Sequence, residues 1–394
     1  MNILLIIEGT YPWYRGGVSE WVYQYLNHLQ EFDFTILQIA TDEFQGLNPS
    51  DALYPLTDNI VEFIRISPPE MNSGSLNYLD KWFEDSVSSQ ELTKSKFDLV
   101  HVTNTGFAGW LGTKLSTINK IPLLLTEHAI YWKEIEMGAV ALECGYKIPN
   151  DHDGKNDVVS SFKNIASLTY QYAEQIVTVS ESNIPYQKEL GANDVKYIPN
   201  GIPKSWLKSE KSRGKEPVIG WVGRCAEMKN PLAFFELVEE FRSKSISPQF
   251  RMLLSDANEK ELENKVKAVS LNYPEVECIW NQSAQTYFRD FDFLSITSHN
   301  ESQPLVMLEA LAHKALPVGF RVGDLTEKYG LVIAPGLPVS KLADNIIRLW
   351  NHQAEFEHYV ENRFARVQEY HTWEYIFSHY KTLIKEMMEE VIEE

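Results

Sequence analysis

Residues 295–312 read Ser295-Ile296-Thr297-Ser298-His299-Asn300-Glu301-Ser302-Gln303-Pro304-Leu305-Val306-Met307-Leu308-Glu309-Ala310-Leu311-Ala312. The stretch begins apolar and β-prone at 293–296, turns polar at 298–303 and resumes as an apolar run from Pro304. That order predicts strand, loop and helix. Proline suits the first helical position, where its missing N–H would have no helical partner in any case. Glu301 then falls in the loop at the carboxyl end of a strand, and Glu309 on the second turn of the helix. Between them the helix N-terminus offers the backbone N–H groups of Leu305 and Val306 and the positive end of a dipole, an anion site. Two carboxylates beside it would repel a phosphate, so they are expected to take hydroxyl groups on either side of it. A ligand with hydroxyls at both ends and a diphosphate in the middle is a nucleotide-sugar.

Upstream, apolar runs at 3–7, 34–39, 99–102, 123–126 and 176–179 read as strands. Helical segments follow Ser19, precede Asp98 and cover roughly 158–173. This alternation predicts a parallel sheet with helices on both faces, and ligands bound beyond the carboxyl ends of its strands. The loop after the first strand, Glu8-Gly9-Thr10-Tyr11-Pro12-Trp13-Tyr14-Arg15-Gly16-Gly17-Val18-Ser19-Glu20-Trp21, puts Gly16-Gly17 just ahead of a helix. Glycine there lets backbone amides approach a ligand closely, although a plain strand–helix turn reads the same way. Glu127-His128-Ala129-Ile130-Tyr131-Trp132-Lys133-Glu134 follows the strand at 123–126. Periodicity fades from Lys133 to Asp157, which reads as a mobile acceptor-side segment. Asp151-His152-Asp153 within it reads as a solvated loop, since nothing nearby completes a metal site. A capping pattern at Ser180-Glu181-Ser182 starts another helix.

Pro199-Asn200-Gly201 is a turn signal, and the charged segment 204–216 after it reads as a domain linker. The strand–helix theme then repeats. Val218-Ile219-Gly220-Trp221-Val222-Gly223-Arg224 reads as a strand, and Lys229-Asn230-Pro231 opens a helix. Arg224 and Lys229 would place two cations over one crevice beside Gly223. Close cations repel unless an anion lies between them, and a diphosphate suits the paired donors of arginine. A pair of solvated surface cations is the competing reading.

The bulk numbers set limits. At 394 residues the chain has room for two domains. With 44% hydrophobic and 23% charged residues it has a globular composition. A net charge of −19 argues against a nucleic-acid partner. Cys144, Cys225 and Cys278 are widely spread without metal spacing, which fits a reduced compartment and buried filler. The N-terminal apolar run lacks a basic flank and is cut short by Glu8, so it reads as a buried strand rather than a signal peptide. No run approaches the ~20 apolar residues of a membrane span. A cytoplasmic location is expected, with membrane contact only peripheral, at the inner face and through partners.

Several of these motifs together resemble retaining glycosyltransferase family 4, a family of the GT-B fold. Glu301 and Glu309 have its Glu-x7-Glu spacing, Gly223-Arg224 with Lys229 its Gly-Arg-x4-Lys, and Pro199-Asn200-Gly201 its interdomain junction. Within that family the loop 8–22 and the Glu127–Tyr131 string are similar to the PelF-like, Pel-polysaccharide group, with Ala129 in place of its glycine. The usual Gly-Phe-Gly after the first glutamate is here Ser302-Gln303-Pro304, against Gly-Gln-Pro in PelF-like members. Val322-Gly323-Asp324 matches the family's Val-Gly-Gly only in part. The resemblance implies an α/β fold of two Rossmann-like, doubly wound domains facing each other across a cleft. They would be an acceptor-side domain at 1–203 and a nucleotide-sugar domain at 204–370, with a C-terminal helix at 371–394 crossing back. It implies a metal-independent hexosyltransferase that acts with retention and needs no cofactor beyond its donor. The donor would be a UDP-sugar, UDP-glucose or UDP-N-acetylhexosamine. The acceptor would be a growing exopolysaccharide of the biofilm type, and the partners membrane-bound synthase subunits.

The residue roles follow. Arg224, Lys229 and the amides of Leu305 and Val306 are expected to absorb charge on the departing diphosphate, with Gly16, Gly17, Gly223, Gln303 and Pro304 lining the donor. Glu301 would hold sugar hydroxyls and Glu309 the ribose. By resemblance, His128 faces the transferred sugar, and Tyr131 and Glu134 lie on the acceptor side. Asp290-Phe291-Asp292 spells the metal motif of the other large glycosyltransferase fold but precedes a strand, at the wrong end of the sheet, so no metal is assigned. Two alternatives remain open: hydrolysis or phosphorolysis of the same donors, and a catalytically silent scaffold subunit of a synthase complex.

Overall fold

The computed structural model describes residues 1–394 except Thr10, Tyr14, Arg15, 41–50, 71–75, 88–91, 93–96, 139–147, Asn150, Ser209, Ser245, Asn258 and Glu394. The chain forms two compact units, Met1–Pro199 with Phe377–Glu394, and Asn200–Ile376.

The first unit is built on a seven-stranded sheet: β1 (Asn2–Glu8), β2 (Asp33–Ile39), β3 (Ile60–Ile66), β4 (Leu99–Val102), β5 (Leu123–Glu127), β6 (Gln175–Thr178) and β7 (Val195–Tyr197). Their order across the sheet is β3-β2-β1-β4-β5-β6-β7, and every neighbouring pair is parallel. The central strands are apolar along their whole length because both faces are covered by helices; all of Leu123–Glu127 is buried. β3 and β7, at the two edges, did not stand out in the sequence. Ile60–Ile66 is buried at only two of seven positions and Val195–Tyr197 at none, so burial imposes a weaker apolar pattern there.

Two readings of the sequence change here. Asp151-His152-Asp153 is a helix start rather than a loop. Asp151 is the N-cap of the helix His152–Tyr172, and its Oδ1 accepts from Gly154 N at 2.7 Å. That helix begins six residues earlier than periodicity indicated. Of the segment 133–157, residues 139–147 and Asn150 lie outside the described residues, and its two described ends are helical, in Tyr131–Glu136 and from His152 onward.

The second unit carries six parallel strands: β8 (Val218–Arg224), β9 (Gln249–Ser255), β10 (Val276–Trp280), β11 (Phe293–Ile296), β12 (Leu316–Phe320) and β13 (Leu331–Ile333). Their order is β10-β9-β8-β11-β12-β13. Two doubly wound, Rossmann-like α/β units are therefore present, as expected. The last helix, Trp373–Glu393, begins in the second unit and continues in the first.

The charged segment 204–216 is exposed at most of its described positions, but two of its cations are tied into the second unit. The Arg213 side chain is only 9% exposed. Its guanidinium donates to Asp292 Oδ1 at 2.8 Å and Glu357 Oε1 at 2.7 Å, and lies 4.5 Å from the centre of the Phe356 ring. Lys211 donates to the Phe291 carbonyl, and burial pushes its ammonium down to about 7. These cations fasten the segment beneath the amino end of β11.

In a doubly wound sheet the crevice opens where successive crossovers leave in opposite directions. In the first unit β1 leads towards β2 and β4 towards β5, so the crevice lies beyond the carboxyl ends of β1 and β4. In the second it lies beyond β8 and β11.

Candidate functional site

In the second unit, β8 and β11 are hydrogen-bonded neighbours, with Ser295 opposite Trp221. Continuing that register brings Thr297 level with Gly223, so the loops after the two strands leave the sheet side by side. They are tied together. Thr297 Oγ1 accepts from Trp221 Nε1 at 2.8 Å and faces the carbonyls of Lys229 and Asn230 at 2.9 and 2.8 Å. His299 N donates to Met228 O at 2.8 Å. The result is an ion pair across the crevice: Lys229 Nζ donates to Glu301 Oε1, which also accepts from Ser298 Oγ at 2.7 Å. The Glu301 side chain is 11% exposed and that of Lys229 28%, so the pair is partly shielded from water.

The helix after this loop is Leu305–Ala312, with Pro304 as its N-cap rather than its first helical residue. Pro304 has ψ of 118°, an extended value that turns the chain into the helix. No side chain caps this helix, and helix geometry gives the amides of Leu305 and Val306 no acceptor within it. Met307, Leu308, Ala310, Leu311 and Ala312 face the core, which leaves Leu305, Val306 and Glu309 on the partly exposed stripe. Glu309 stands one turn above Leu305, the i, i+4 relation. Gly223 and Arg224 end β8, and the Arg224 side chain is exposed. The structure thus brings Lys229, Glu301 and the start of the helix to one crevice, with Arg224 on the strand end feeding the same loop. Gln303 is buried, and both ends of its side-chain amide are held by the protein, at Asn200 N and Asp324 Oδ2.

Asp290 and Asp292 sit at the other end of β11. Asp292 accepts from Val218 N at 2.9 Å and pairs with Arg213, while Asp290 pairs with Arg251. Both act as acceptors within the fold. Among the described residues no group of three or more His, Cys, Asp and Glu side chains is arranged to hold a metal ion.

In the first unit, Gly16 is the N-cap of the helix Gly17–His28, and its carbonyl accepts from Glu20 N at 2.9 Å. Thr10, Tyr14 and Arg15 of that loop lie outside the described residues. Sequence reasoning missed three residues here. Glu8, at the end of β1, is buried, and its Oε1 accepts from Ala108 N at 2.6 Å, at the start of the helix Phe107–Asn119 that follows β4. Asn104 Oδ1 accepts from Gly106 N at 2.8 Å, and its Nδ2 donates to Tyr131 Oη at 3.3 Å. Gly106 is needed for this closeness: a Cβ there would lie 2.7 Å from Glu8 Oε1 and 2.9 Å from the Tyr131 ring. The available signal was the polar Thr103-Asn104-Thr105-Gly106 directly after an apolar strand. Tyr131 reaches this cluster, and Glu134 lies on the same short helix, Tyr131–Glu136.

His128 follows β5 and is buried, its ring 4.9 Å from Trp21 and edge-on to it at 73°. Its Nε2 is buried without a hydrogen-bond partner among the described residues. Burial lowers its pKa to about 3, so the imidazole is neutral. Beneath it Tyr25 Oη lies 2.8 Å from His101 Nδ1, and His101 Nε2 lies 2.9 Å from Thr126 Oγ1, which donates to Tyr380 Oη at 3.2 Å. Glu127 is also buried; it accepts from Thr105 Oγ1, from Tyr170 Oη at 2.6 Å and from Gln187 Nε2 at 2.7 Å. Burial raises its pKa, and the three donors only partly offset that.

These buried groups give stability a pH dependence. His101 and His128 are depressed to about 3 and His371 to about 4, all by burial. The unfolded chain binds one proton more at each once the pH falls below the ordinary histidine value, so this contribution is full above about 6.5 and lost on the way down. At pH 5 the loss is about 2 kcal/mol per histidine. Glu127, raised in the fold, acts in the opposite sense and stabilises as it protonates. Unfolding between pH 6.5 and 5 is expected to take up protons, measurable from chemical denaturation across that range. His128→Gln is expected to lower the uptake by about one; an unchanged slope would mean that His128 titrates normally in the fold.

The two units match different protein families. Residues 216–352 match the family described as Glycosyl transferases group 1. Residues 1–75 and 86–195 match a domain of unknown function, DUF3492. No curated protein matches the chain. Solved structures do, over nearly its whole length. Sucrose-phosphate synthase from Thermosynechococcus elongatus is 18% identical, with a TM-score of 0.72 and 98% of each chain covered. HepE from Anabaena, in complex with UDP-glucose, is 14% identical with a TM-score of 0.70, covering 98% of this chain and 100% of its own. The catalytic domain of starch synthase IV from Arabidopsis thaliana, bound to ADP and acarbose, is 12% identical with a TM-score of 0.62, covering 98% and 99%. At these identities the likeness shows the fold, and that fold is GT-B.

Proposed function

We propose that this chain, a GT-B protein whose second unit carries a group 1 glycosyltransferase domain, is a retaining hexosyltransferase using a UDP-sugar. The observation that carries the reading is the Lys229–Glu301 pair beside the uncapped start of the helix Leu305–Ala312, at the crevice of that unit. The donor's diphosphate would lie at the Leu305 and Val306 amides with Lys229 and Arg224 around it. Carrying more than one negative charge, it competes with a single carboxylate for Lys229. Glu301, released from the pair, then has acceptor oxygens for sugar hydroxyls, and Glu309 on the same helix stripe has them for the ribose.

As the glycosidic bond breaks, charge grows on the leaving diphosphate, and fixed donors of this kind stabilise it most where water is excluded. The role carried over to His128, stabilising the reacting sugar, calls for a neutral imidazole with an uncommitted edge. The low pKa of His128 and its unpartnered Nε2 support it. Retention, family 4 membership, an exopolysaccharide acceptor and a choice between glucose and N-acetylhexosamine rest on the sequence resemblance. UDP as the nucleotide is supported also by the UDP-glucose bound in HepE.

The test is a thermal-shift and calorimetry panel of nucleoside diphosphates, followed by the matching sugars with and without a glycan acceptor. UDP is expected to bind best, and product to form only with acceptor. Sugar release without acceptor would replace transfer by hydrolysis; no nucleotide binding at all would leave a scaffold. Because Lys229, Arg224 and helix amides supply the positive charge, transfer is expected to persist in excess EDTA, within twofold of the untreated rate. A collapse of the rate restored by a divalent ion would refute metal independence.

A further inference from the structure

We infer that Gln303 is a positioning residue that fastens the Glu301 loop to the segments by which the chain enters and leaves the second unit. The inference rests on reading that unit as a nucleotide-sugar site. The chain enters at Asn200 and leaves after Ile376. The two segments lie side by side: Ile202 bridges Thr372 in parallel, Ile202 N donates to His371 O at 2.8 Å, and Trp373 N donates to Ile202 O at 3.1 Å. Gly201 permits this approach, because a Cβ there would lie 2.8 Å from the Trp373 ring.

From this strap a line of hydrogen bonds runs to the loop. A backbone carbonyl only accepts, so His371 Nδ1 carries the proton given to Asn200 O at 3.0 Å, and Nε2 accepts from Tyr329 Oη at 2.9 Å. Asn200 N–H only donates, so Gln303 must turn Oε1 towards it, at 2.6 Å. Gln303 Nε2 then donates to Asp324 Oδ2 at 2.9 Å, and Asp324 N donates to Ser302 O at 2.8 Å. Asn200, Gln303, Asp324 and His371 are all buried. Gly323, at φ of +53°, closes the contact: a Cβ there would lie 2.3 Å from the carbonyls of both Glu301 and Ser302. A shift of the loop carrying Glu301 is therefore passed to Asn200 through Gln303. Phenylalanine at this position could not bridge a backbone donor and a carboxylate.

Reversing the polarity of the link tests this. Gln303→Glu keeps the acceptor for Asn200 N–H but sets a second carboxylate against Asp324. Adding Asp324→Asn restores a donor–acceptor pair of opposite sense at the parent's net charge. Calorimetry with UDP is expected to show at least tenfold weaker binding for Gln303→Glu and recovery to within threefold for the double variant. Hydrogen exchange is expected to show UDP protecting the amides of Asn200, Ile202 and Trp373 in the parent protein but not in Gln303→Leu. Equal UDP affinity in the parent and Gln303→Glu, even with a lowered melting temperature, would reduce Gln303 to a structural brace and overturn the inference. Protection that persists in Gln303→Leu would overturn it as well. A parent protein that binds no nucleoside diphosphate would instead remove the donor reading, and the inference with it.

Discussion

Lys229→Ala is expected to lower kcat/KM for the nucleotide-sugar by about a hundred- to a thousandfold, the effect of removing one preorganised donor from a developing oxyanion. Arg224→Ala is expected to fall in the same range while leaving the fold intact. Lys229 is the sharper case because its ammonium is already engaged, held by a carboxylate that Ser298 also holds. Removing the lysine leaves Glu301 without its counter-ion in a site only 11% exposed. Part of any loss could then come from Glu301 repelling the diphosphate. Lys229→Ala combined with Glu301→Gln separates the two effects. If repulsion dominates, the double variant regains UDP affinity; if loss of the cation itself dominates, UDP affinity stays as low as in Lys229→Ala. Near-normal transfer by Lys229→Ala, with unchanged circular dichroism, would defeat the proposed mechanism.

Arg213→Met is expected to destabilise the second unit by about 3–5 kcal/mol, the usual result of removing one partner from a buried ion pair. Asp292 is 3% exposed and would keep the bond from Val218 N and the neighbouring charge of Lys211. Glu357 is 46% exposed, so water replaces its lost partner and it adds little to the effect. The methionine side chain retains contact with Phe356, which limits the lost packing. Urea denaturation followed by tryptophan fluorescence would measure the change, and UDP affinity well below the midpoint is expected to stay within twofold of the parent. A loss under 1 kcal/mol would mean that Asp292 is neutralised in some other way.

The contrast between these two cations marks the limit of sequence reading. Arg213 lies in a run of lysines, serines and glutamates that looks like a solvated linker, whereas Arg224 ends an apolar strand beside a glycine. Local pattern was informative for Arg224 because strand, loop and helix are set by neighbours in the chain. It was silent for Arg213, whose partners Asp292 and Glu357 are 79 and 144 residues away. The same limit explains Glu8 and Asn104. Each is an ordinary polar residue at a strand end until β1 and β4 lie side by side and put the Glu8 carboxylate at the start of the helix Phe107–Asn119.

By itself the sequence determined the two doubly wound units and the strand–loop–helix at 295–312. Burial on both faces makes parallel strands continuously apolar, and polar loops with proline and glycine mark where they stop. Only the tertiary structure decided that Lys229 meets Glu301, that Gln303 turns inward to Asn200 and Asp324, and that Lys211 and Arg213 pack beneath β11. Those outcomes depend on which strands become neighbours, and pairing is chosen by the summed burial of the whole unit rather than by any residue's own surroundings in the chain.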